Sequence, residues 1–463
     1  MNLMDHSACE LTALIRRKQV SPVEAVRAAL DRIDARSELN AFITVTADQA
    51  LDAARKAEAQ VMAGGELPPL HGVPYSVKDL LSTAGVRTTM GSAIHENFVP
   101  TDDAVAVARA KAAGAILIGK TTTPEFGHKP VAAAPISGRT LNPINPLFTP
   151  GASSSGAAVA VAAGMGPLAL GTDGGGSIRI PASCCGIVGL KPTLGVVPHL
   201  QAPDLFSANS FVGPMARDVA DTALLFEVIQ GFDVRDPYGQ GSAHKGRAAP
   251  LSLRGLKVAW LPSAGNRVDP EVEAVTTAAV RAMEREGAIV ETVMLDFVSL
   301  ERHFLVLLQS LLAARVGDKL ELFGARLDAT LIDAVLKGRR HGAVALHEAG
   351  FAKTRCFGEL QALFGRHDVL VSPTLSAPPL SIDIDVSGEI DIAGAPAGTV
   401  RGAWYPYTYP MNLTGHPALS MPCGTSSLGL PIGLQLAGRW YDERYLLGVA
   451  ALLEVQFGLP QPF

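Results

Sequence analysis

Two glycine- and serine-rich segments carry the side chains best suited to covalent chemistry. The first is Pro150-Gly151-Ala152-Ser153-Ser154-Ser155-Gly156; the second is Gly171-Thr172-Asp173-Gly174-Gly175-Gly176-Ser177-Ile178-Arg179. Consecutive glycines offer no side chain to a core, and each costs backbone entropy on folding. Such a run suits a bare backbone whose N–H groups converge on a small anionic group, the arrangement that stabilises an oxyanion. It equally suits a tight turn feeding a strand over Ile178–Ile180. The serine run reads either as chemistry or as the N-cap of a helix starting at Ser155. The third oddity is Lys78, set among apolar neighbours in Gly72-Val73-Pro74-Tyr75-Ser76-Val77-Lys78-Asp79-Leu80. It reads as a snorkelling surface lysine beside Asp79, or as a buried lysine kept neutral to act as a base, because burial depresses a lysine pKa.

Other motifs fail on context. Gly114-Ala115-Ile116-Leu117-Ile118-Gly119-Lys120-Thr121 spells the phosphate-loop pattern GxxxxGK[ST]. A phosphate loop must be an open turn after a strand and before a helix. Here the middle four residues are themselves strand-like, and Pro124 and Gly127 break any helix after them. Ser242-Ala243-His244-Lys245 spells the SxxK of penicillin-binding enzymes, but the chain has no SDN or KTG to accompany it. The eleven histidines are scattered, with no HExxH or HxH pair, so the expectation is no metal and no organic cofactor.

The elements that must position these residues alternate between helix and strand. Ser21-Pro22-Val23-Glu24 is a capping box with proline at the first helical position, and it announces the first helix. A second helix is expected near Thr101-Asp102-Asp103, ending at Gly114. A strand comes next over Ala115–Ile118, then a small-residue helix over Ser155–Gly164 and a strand over Leu168–Leu170. Strands are expected at Lys257–Trp260, Ile289–Val293, Val369–Val371 and Gly433–Ala437. Helices are expected over Pro270–Glu286 and Asp442–Phe457, with about three between Glu301 and Leu363. Asp236–Pro250 and Ser376–Gly402 read as long loops. The alternation predicts an α/β fold with a largely covered sheet.

Composition narrows the class. Hydrophobic residues make up 48% of the 463 and charged residues 18%, which excludes a disordered chain. A net charge of −5 argues against a nucleic-acid binder, which carries a basic excess. Cys9, Cys184, Cys185, Cys356 and Cys423 form no CxxC and no disulfide framework, as expected of thiols in a reducing cytosol. The N-terminus has no signal-like apolar run. The charge-free stretch Thr140–Thr172 is interrupted by Pro143, Pro146, Pro150 and Pro167, so no membrane span is expected. The chain reads as soluble and cytoplasmic, with a small molecule as its partner and homo-oligomers permitted.

Taken together and in this order, the segments resemble the amidase signature family of serine hydrolases. The resemblance rests on His71–Asp79 (HGVPxxVKD), Gly171–Pro181 (GTDxGGSIRxP), Cys185–Thr193 (CGxxGLKPT), Asn412–Gly424 (NLTGHPALSMPCG) and Leu430–Gly438 (LPIGLQLAG). It covers nearly the whole chain. It implies an amidase signature fold, with a large mixed central sheet covered by helices on both faces. It also implies one domain over 1–463: a helical segment at about 1–65, a signature core at about 66–235, and a C-terminal part at about 251–463. By the same resemblance, Ser177 is the nucleophile, Ser153 the bridging serine held on a cis peptide bond, and Lys78 the terminal base. The N–H groups of Gly174, Gly175, Gly176 and Ser177 form the oxyanion hole, with Asp173, Arg179 and Ser154 in support. The chain departs from many members at Ala152 and Ala157, where the replacements are small and no catalytic side chain is lost.

The resemblance leaves three readings: a stand-alone hydrolase of amides, with carbamates also open to it; the glutamine-hydrolysing subunit of a tRNA-dependent amidotransferase; and a non-catalytic scaffold. The amidotransferase subunits carry an acid just before the TxPxNLxG segment to hold the substrate's α-amino group. The matching place here, Trp404-Tyr405-Pro406-Tyr407-Thr408-Tyr409, is aromatic and uncharged. With Met90 and Phe126, the residues Trp404, Tyr405 and Tyr409 are expected to line an apolar pocket for a neutral, partly apolar substrate.

Overall fold

The computed structural model describes residues 3–206, 209–239 and 246–458. Its centre is an eleven-stranded sheet. In spatial order the strands are Phe42–Val45, Ile116–Thr121, Pro74–Lys78, Leu168–Asp173, Phe211–Ala216, Val188–Lys191, Ala418–Thr425, Pro431–Ala437, Val369–Pro373, Lys257–Trp260 and Ile289–Thr292. The pairing is mixed. Pro74–Lys78 runs parallel to both of its neighbours, as Lys257–Trp260 does to its two, while the central pairs are antiparallel. Pro74–Lys78, Leu168–Asp173, Phe211–Ala216, Pro431–Ala437 and Val369–Pro373 are buried at every position, which requires helices over both faces. The two edge strands are polar or half-exposed, the usual protection of an unpaired edge. One apolar cluster runs through the sheet from Met4 to Leu453.

Several elements differ from expectation for identifiable reasons. The capping box at Ser21 does open the helix Pro22–Ala35, with both reciprocal hydrogen bonds present. A shorter helix, Ala8–Arg16, precedes it and carries its own capping box from Ser7 to Glu10. The helix expected at Thr101 begins only at Val105. Asp103 does not cap it; its carboxylate instead accepts from the Ala84 N–H and from Lys111. Ile178–Ile180 is not a strand, because the helix Arg179–Cys185 begins there. Within the supposed loop Ser376–Gly402 lie a hairpin, Glu389–Ile392 with Ala395–Thr399, and the start of the helix Val400–Trp404. Residues 242–245 and part of the loop expected at 236–250 lie outside the described residues. The phosphate-loop mimic is strand, with Lys120 buried inside it.

Among the described residues no helix is long and apolar enough to cross a membrane. All five cysteines are free thiols.

Candidate active site

Parallel pairing brings the site together. Tyr75 and Val77 lie opposite Leu168 and Leu170, so the carboxyl ends of the two strands deliver Lys78 and Thr172–Asp173 to one sheet edge. Crevices outside the carboxyl ends of strands are where α/β sheets hold ligands. The second serine segment enters the same edge, and the Ala152–Ser153 peptide bond is cis. Directly after it the wholly buried helix Ser155–Ala162 begins, built from alanine, valine, one serine and one glycine.

Lys78 is fully buried. Its Nζ lies 2.8 Å from Ser153 Oγ, 2.9 Å from Ser154 Oγ and 3.3 Å from the Thr172 carbonyl. No carboxylate touches it among the described residues. Burial pulls its ammonium well below the ordinary lysine range, and the more distant charge of Asp173 only partly opposes this. Ser154 donates its hydroxyl to the Thr172 carbonyl at 3.0 Å, which fixes the floor beneath the lysine. The snorkelling reading of Lys78 is therefore excluded.

Ser177 sits at the top of the glycine loop, part-exposed like Gly174 and Gly175. Its carbonyl accepts from the Ser154 N–H at 3.0 Å, which ties the two segments together. Asp173 shapes the loop from below. Its carboxylate accepts from the Gly176 N–H at 2.6 Å, the Ile178 N–H at 3.1 Å, Asn412 Nδ2 at 2.9 Å, and Arg179 Nε and Nη2, both at 3.0 Å. Burial alone would raise this carboxyl's pKa. The Arg179 charge and hydrogen bonds, the Asn412 bond and the Lys191 charge overcome it and hold the group well below the usual carboxylate range. These bonds correct one expectation. The Gly176 N–H is committed to Asp173 and cannot also face an oxyanion. The N–H groups of Gly174, Gly175 and Ser177 donate to nothing among the described residues, and three such donors suffice for an oxyanion hole. Gly176 itself is forced by the turn: its φ is +124°, and a Cβ would stand 2.4 Å from Thr408 Oγ1.

The aromatic wall is also corrected. Trp404 and Tyr409 are fully buried and Tyr405 nearly so. Trp404 donates to the Ala377 carbonyl at 3.1 Å and Tyr409 to the Phe297 carbonyl at 2.7 Å. These rings form a core that supports the site from behind rather than a surface for substrate. Their neighbour Thr408 does reach the loop, donating to the Gly175 carbonyl at 2.7 Å. Met90 and Phe126 fare differently. Both are part-exposed, both adopt left-handed backbone with φ of +56° and +50°, and the Phe126 N–H donates to the Met90 carbonyl at 2.9 Å. Non-glycine residues in that region are uncommon and cluster where structure over-determines a site.

Three contributors escaped the sequence reading. Gly127, with φ +69°, leaves room for Ser153: a Cβ there would stand 2.8 Å from its Oγ. Asn412, inside a quoted motif, holds the Asp173 carbonyl at 2.8 Å as well as its carboxylate. Phe304, on the helix Glu301–Val316, packs so closely on Gly175 that a Cβ there would lie 2.6 Å from its ring, and it stacks on Tyr409 with centroids 5.2 Å apart. The glycine and the asparagine left a signal as residue types that break or polarise their segments; Phe304 left none.

Comparison with known proteins agrees with this architecture. The family model for amidases matches residues 24–447. An acylamidase of Rhodococcus erythropolis is 35% identical over 98% of this chain and 96% of its own length. A glutamyl-tRNA(Gln) amidotransferase subunit of Lachnospira eligens is also 35% identical, over 96% of this chain and 97% of its own. A bacterial aryl acylamidase of the amidase signature family superposes with a TM-score of 0.90 at 27% identity, covering 98% of this chain and 99% of its own. From fold, family match and relatives together, this chain belongs to the amidase signature family of enzymes.

Proposed function

We propose that the protein hydrolyses the C–N bond of amides, and of carbamates, through Ser177, Ser153 and Lys78, by way of an acyl-enzyme on Ser177. The observation that carries the proposal is the buried contact of Lys78 with Ser153 at 2.8 Å, beneath a glycine loop with undirected N–H groups. A neutral amine has two N–H donors and one lone pair. Thr172 O and Ser154 Oγ are placed to take the two N–H groups, which leaves the lone pair for the Ser153 hydroxyl. Ser153 passes its own proton to Lys78 as it takes the one that Ser177 loses in attacking the carbonyl. The N–H groups of Gly174, Gly175 and Ser177 hold the oxygen as it becomes negative. The same relay in reverse protonates the leaving nitrogen, which an amide requires because its anion leaves poorly. Water then hydrolyses the acyl-enzyme. A carbamate offers the same planar carbonyl. No step calls for a metal or an organic cofactor, and five free thiols fit a cytoplasmic enzyme.

The apolar character of the substrate finds support in Met90 and Phe126. Its neutrality rested on the missing acid at Trp404–Tyr409, which leaves no anchor for a substrate ammonium and says nothing of a substrate carboxylate. Hydrolysis of glutamine within an amidotransferase is the competing reading, favoured by the amidotransferase relatives. The uncharged segment at Trp404–Tyr409 offers no carboxylate for a substrate ammonium. The deciding measurement is kcat/KM for an anilide, an aryl carbamate and free glutamine. A tenfold preference for glutamine, about 1.4 kcal/mol of transition-state binding, would replace the proposal with the amidotransferase reading.

A further inference from the structure

The helix Glu301–Val316 spans one side of the site. Phe304, Leu308 and Arg315 follow one another along one face at helical spacing. Phe304 packs on Gly175 of the nucleophile loop. Leu308 joins the clusters of both Phe304 and Phe126. Arg315 marks the far end: its Nη2 is 2.8 Å from Met90 Sδ, and its guanidinium carbon is 4.9 Å from the centre of the Phe126 ring. From Phe304 to Arg315 the helix rises about 16 Å, so one end of this face stands at the glycine loop and the other at Met90 and Phe126.

Arg315 has no oxygen acceptor among the described residues. A guanidinium carries five N–H donors, yet there only the Met90 thioether, a weak acceptor, receives one. Two other part-buried arginines of this protein have oxygen partners. Arg109 donates to three backbone carbonyls, and Arg247 is paired with Asp442 and Asp368. Among the described residues no carboxylate pairs with Arg315, and burial draws its pKa below the ordinary arginine value. The neighbours that feel its charge are His95 and His199, both pushed toward the neutral form by burial and by the guanidinium. His199 Nδ1 is buried without a partner. A sheltered cation facing a thioether, an aromatic ring and neutral imidazoles has the composition of an anion-binding site.

We propose that Arg315 binds a carboxylate carried by the amide substrate away from the scissile bond, which makes the preferred substrates acidic amides with an apolar middle. The proposal rests on the amide-hydrolase reading and sharpens it. Carboxylate geometry matches the guanidinium fork, which can give two parallel hydrogen bonds. A cation in a helix's last turn also favours the helix dipole, but that role needs neither a guanidinium nor an acid in the substrate.

Two matched pairs test it. Glutaranilic acid and valeranilide differ by a carboxylate on the acyl half; 4-acetamidobenzoate and acetanilide differ by one on the amine half. The wild-type kcat/KM should favour the acid of one pair by about tenfold or more, the worth of a charge-assisted hydrogen bond, and the pair that responds identifies the half. In Arg315→Gln that acid-to-neutral ratio should fall to about one, and in Arg315→Lys it should keep an intermediate value. Labelling of Ser177 by a fluorophosphonate certifies that each variant's site is assembled. Calorimetric binding of the same four compounds to Ser177→Ala reads the preference without turnover. If anilides are cleaved and Ser177 is labelled, yet neither acid is preferred by wild type, or the preference survives in Arg315→Gln, the carboxylate site is wrong and the hydrolase stands. If Ser177 resists the probe and no amide or carbamate is cleaved, the hydrolase reading fails and takes the subsite with it.

Discussion

Replacing Arg179 by methionine removes the cation that holds the Gly174–Ser177 loop while keeping most of the side chain's length. The guanidinium uses all five N–H groups: two to Asp173, one to Asn412 Oδ1 at 2.7 Å, one to the Thr408 carbonyl at 2.9 Å and one to Gln435 Oε1 at 2.7 Å. Both members of the Arg179–Asp173 pair are fully buried. Breaking such a pair from one side costs about 3–5 kcal/mol, because it strands the other charge. Folding free energies are only about 5–15 kcal/mol, so Arg179→Met should unfold at a much lower urea midpoint, read from tryptophan fluorescence. Asp173→Asn removes the stranded charge, so the double variant should be more stable than Arg179→Met alone. The pH dependence carries a sign. In the wild type the depressed Asp173 pKa contributes stability above the unfolded carboxyl pKa, lost only as pH falls through the folded value. Without Arg179 the main opposition to burial is gone and that pKa rises above its wild-type value, so the deficit of Arg179→Met should shrink as pH falls. A loss under about 1 kcal/mol, a double variant as unstable as the sum of the singles, or a deficit that grows in acid would refute this account of the loop.

The remaining expectations concern turnover. Ser177→Ala should lose activity with its fold intact, and Lys78→Ala should lose at least about a hundredfold, with Ser153→Ala somewhat less damaged. Effects within the relay should be strongly non-additive, and a double variant that merely multiplied the single losses would count against one shared relay. The rate should rise toward alkaline pH, because the proposed base, Lys78, can accept a proton only above its lowered pKa. The limb should vanish in Lys78→Ala, and a kcat/KM profile peaking below about pH 6, more acidic than a lysine base allows, would exclude that role. Dialysis against a strong chelator should leave activity unchanged, and a loss restored by zinc would overturn the metal-free chemistry.

The signature segments were legible because their chemistry is local. A run of glycines before a serine, a lysine in an apolar strand and a serine run before a small-residue helix each break an ordinary packing rule, and all three meet at one sheet edge. Strands at Lys257–Trp260 and Gly433–Ala437 were readable from apolar runs bounded by turn residues, the second beginning two residues earlier, at Pro431, in the fold. The features that escaped depend on contacts distant in sequence. Nothing local distinguishes Trp404 and Tyr409 as core from the same rings as a pocket wall, since both uses want a large apolar surface. The commitment of the Gly176 N–H to Asp173 is a fact of loop geometry. Phe304 and Arg315 lie in a helix whose pattern says only that it is helical, and their relation to Gly175, Met90 and Phe126 exists only after folding.

The proposal of Lys78 as the base turns on partners rather than on burial. The sequence draws the eye to Lys78, but among the described residues three lysines are fully buried: Lys78, Lys120 and Lys191. Burial lowers all three pKa values, so desolvation alone cannot name the base. Their partners can. Lys120 faces the Asp79 carboxylate at 3.4 Å, which opposes the effect of burial and leaves its pKa at about 8. It also donates to the Leu81 carbonyl and Thr88 Oγ1, so its role is to pin the segment leading to Met90. Lys191 donates to the Pro192 carbonyl at 2.8 Å and lies 3.7 Å over the Phe211 ring, a cation–π setting; no hydroxyl among the described residues is poised to hand it a proton. Lys78 alone of the three meets two serine hydroxyls and one carbonyl, with no ring and no carboxylate in contact. A base needs a proton donor within reach and little that stabilises its charged form before the proton arrives. Only the Lys78 environment meets both conditions, and that environment is assembled by three segments that the sequence keeps apart.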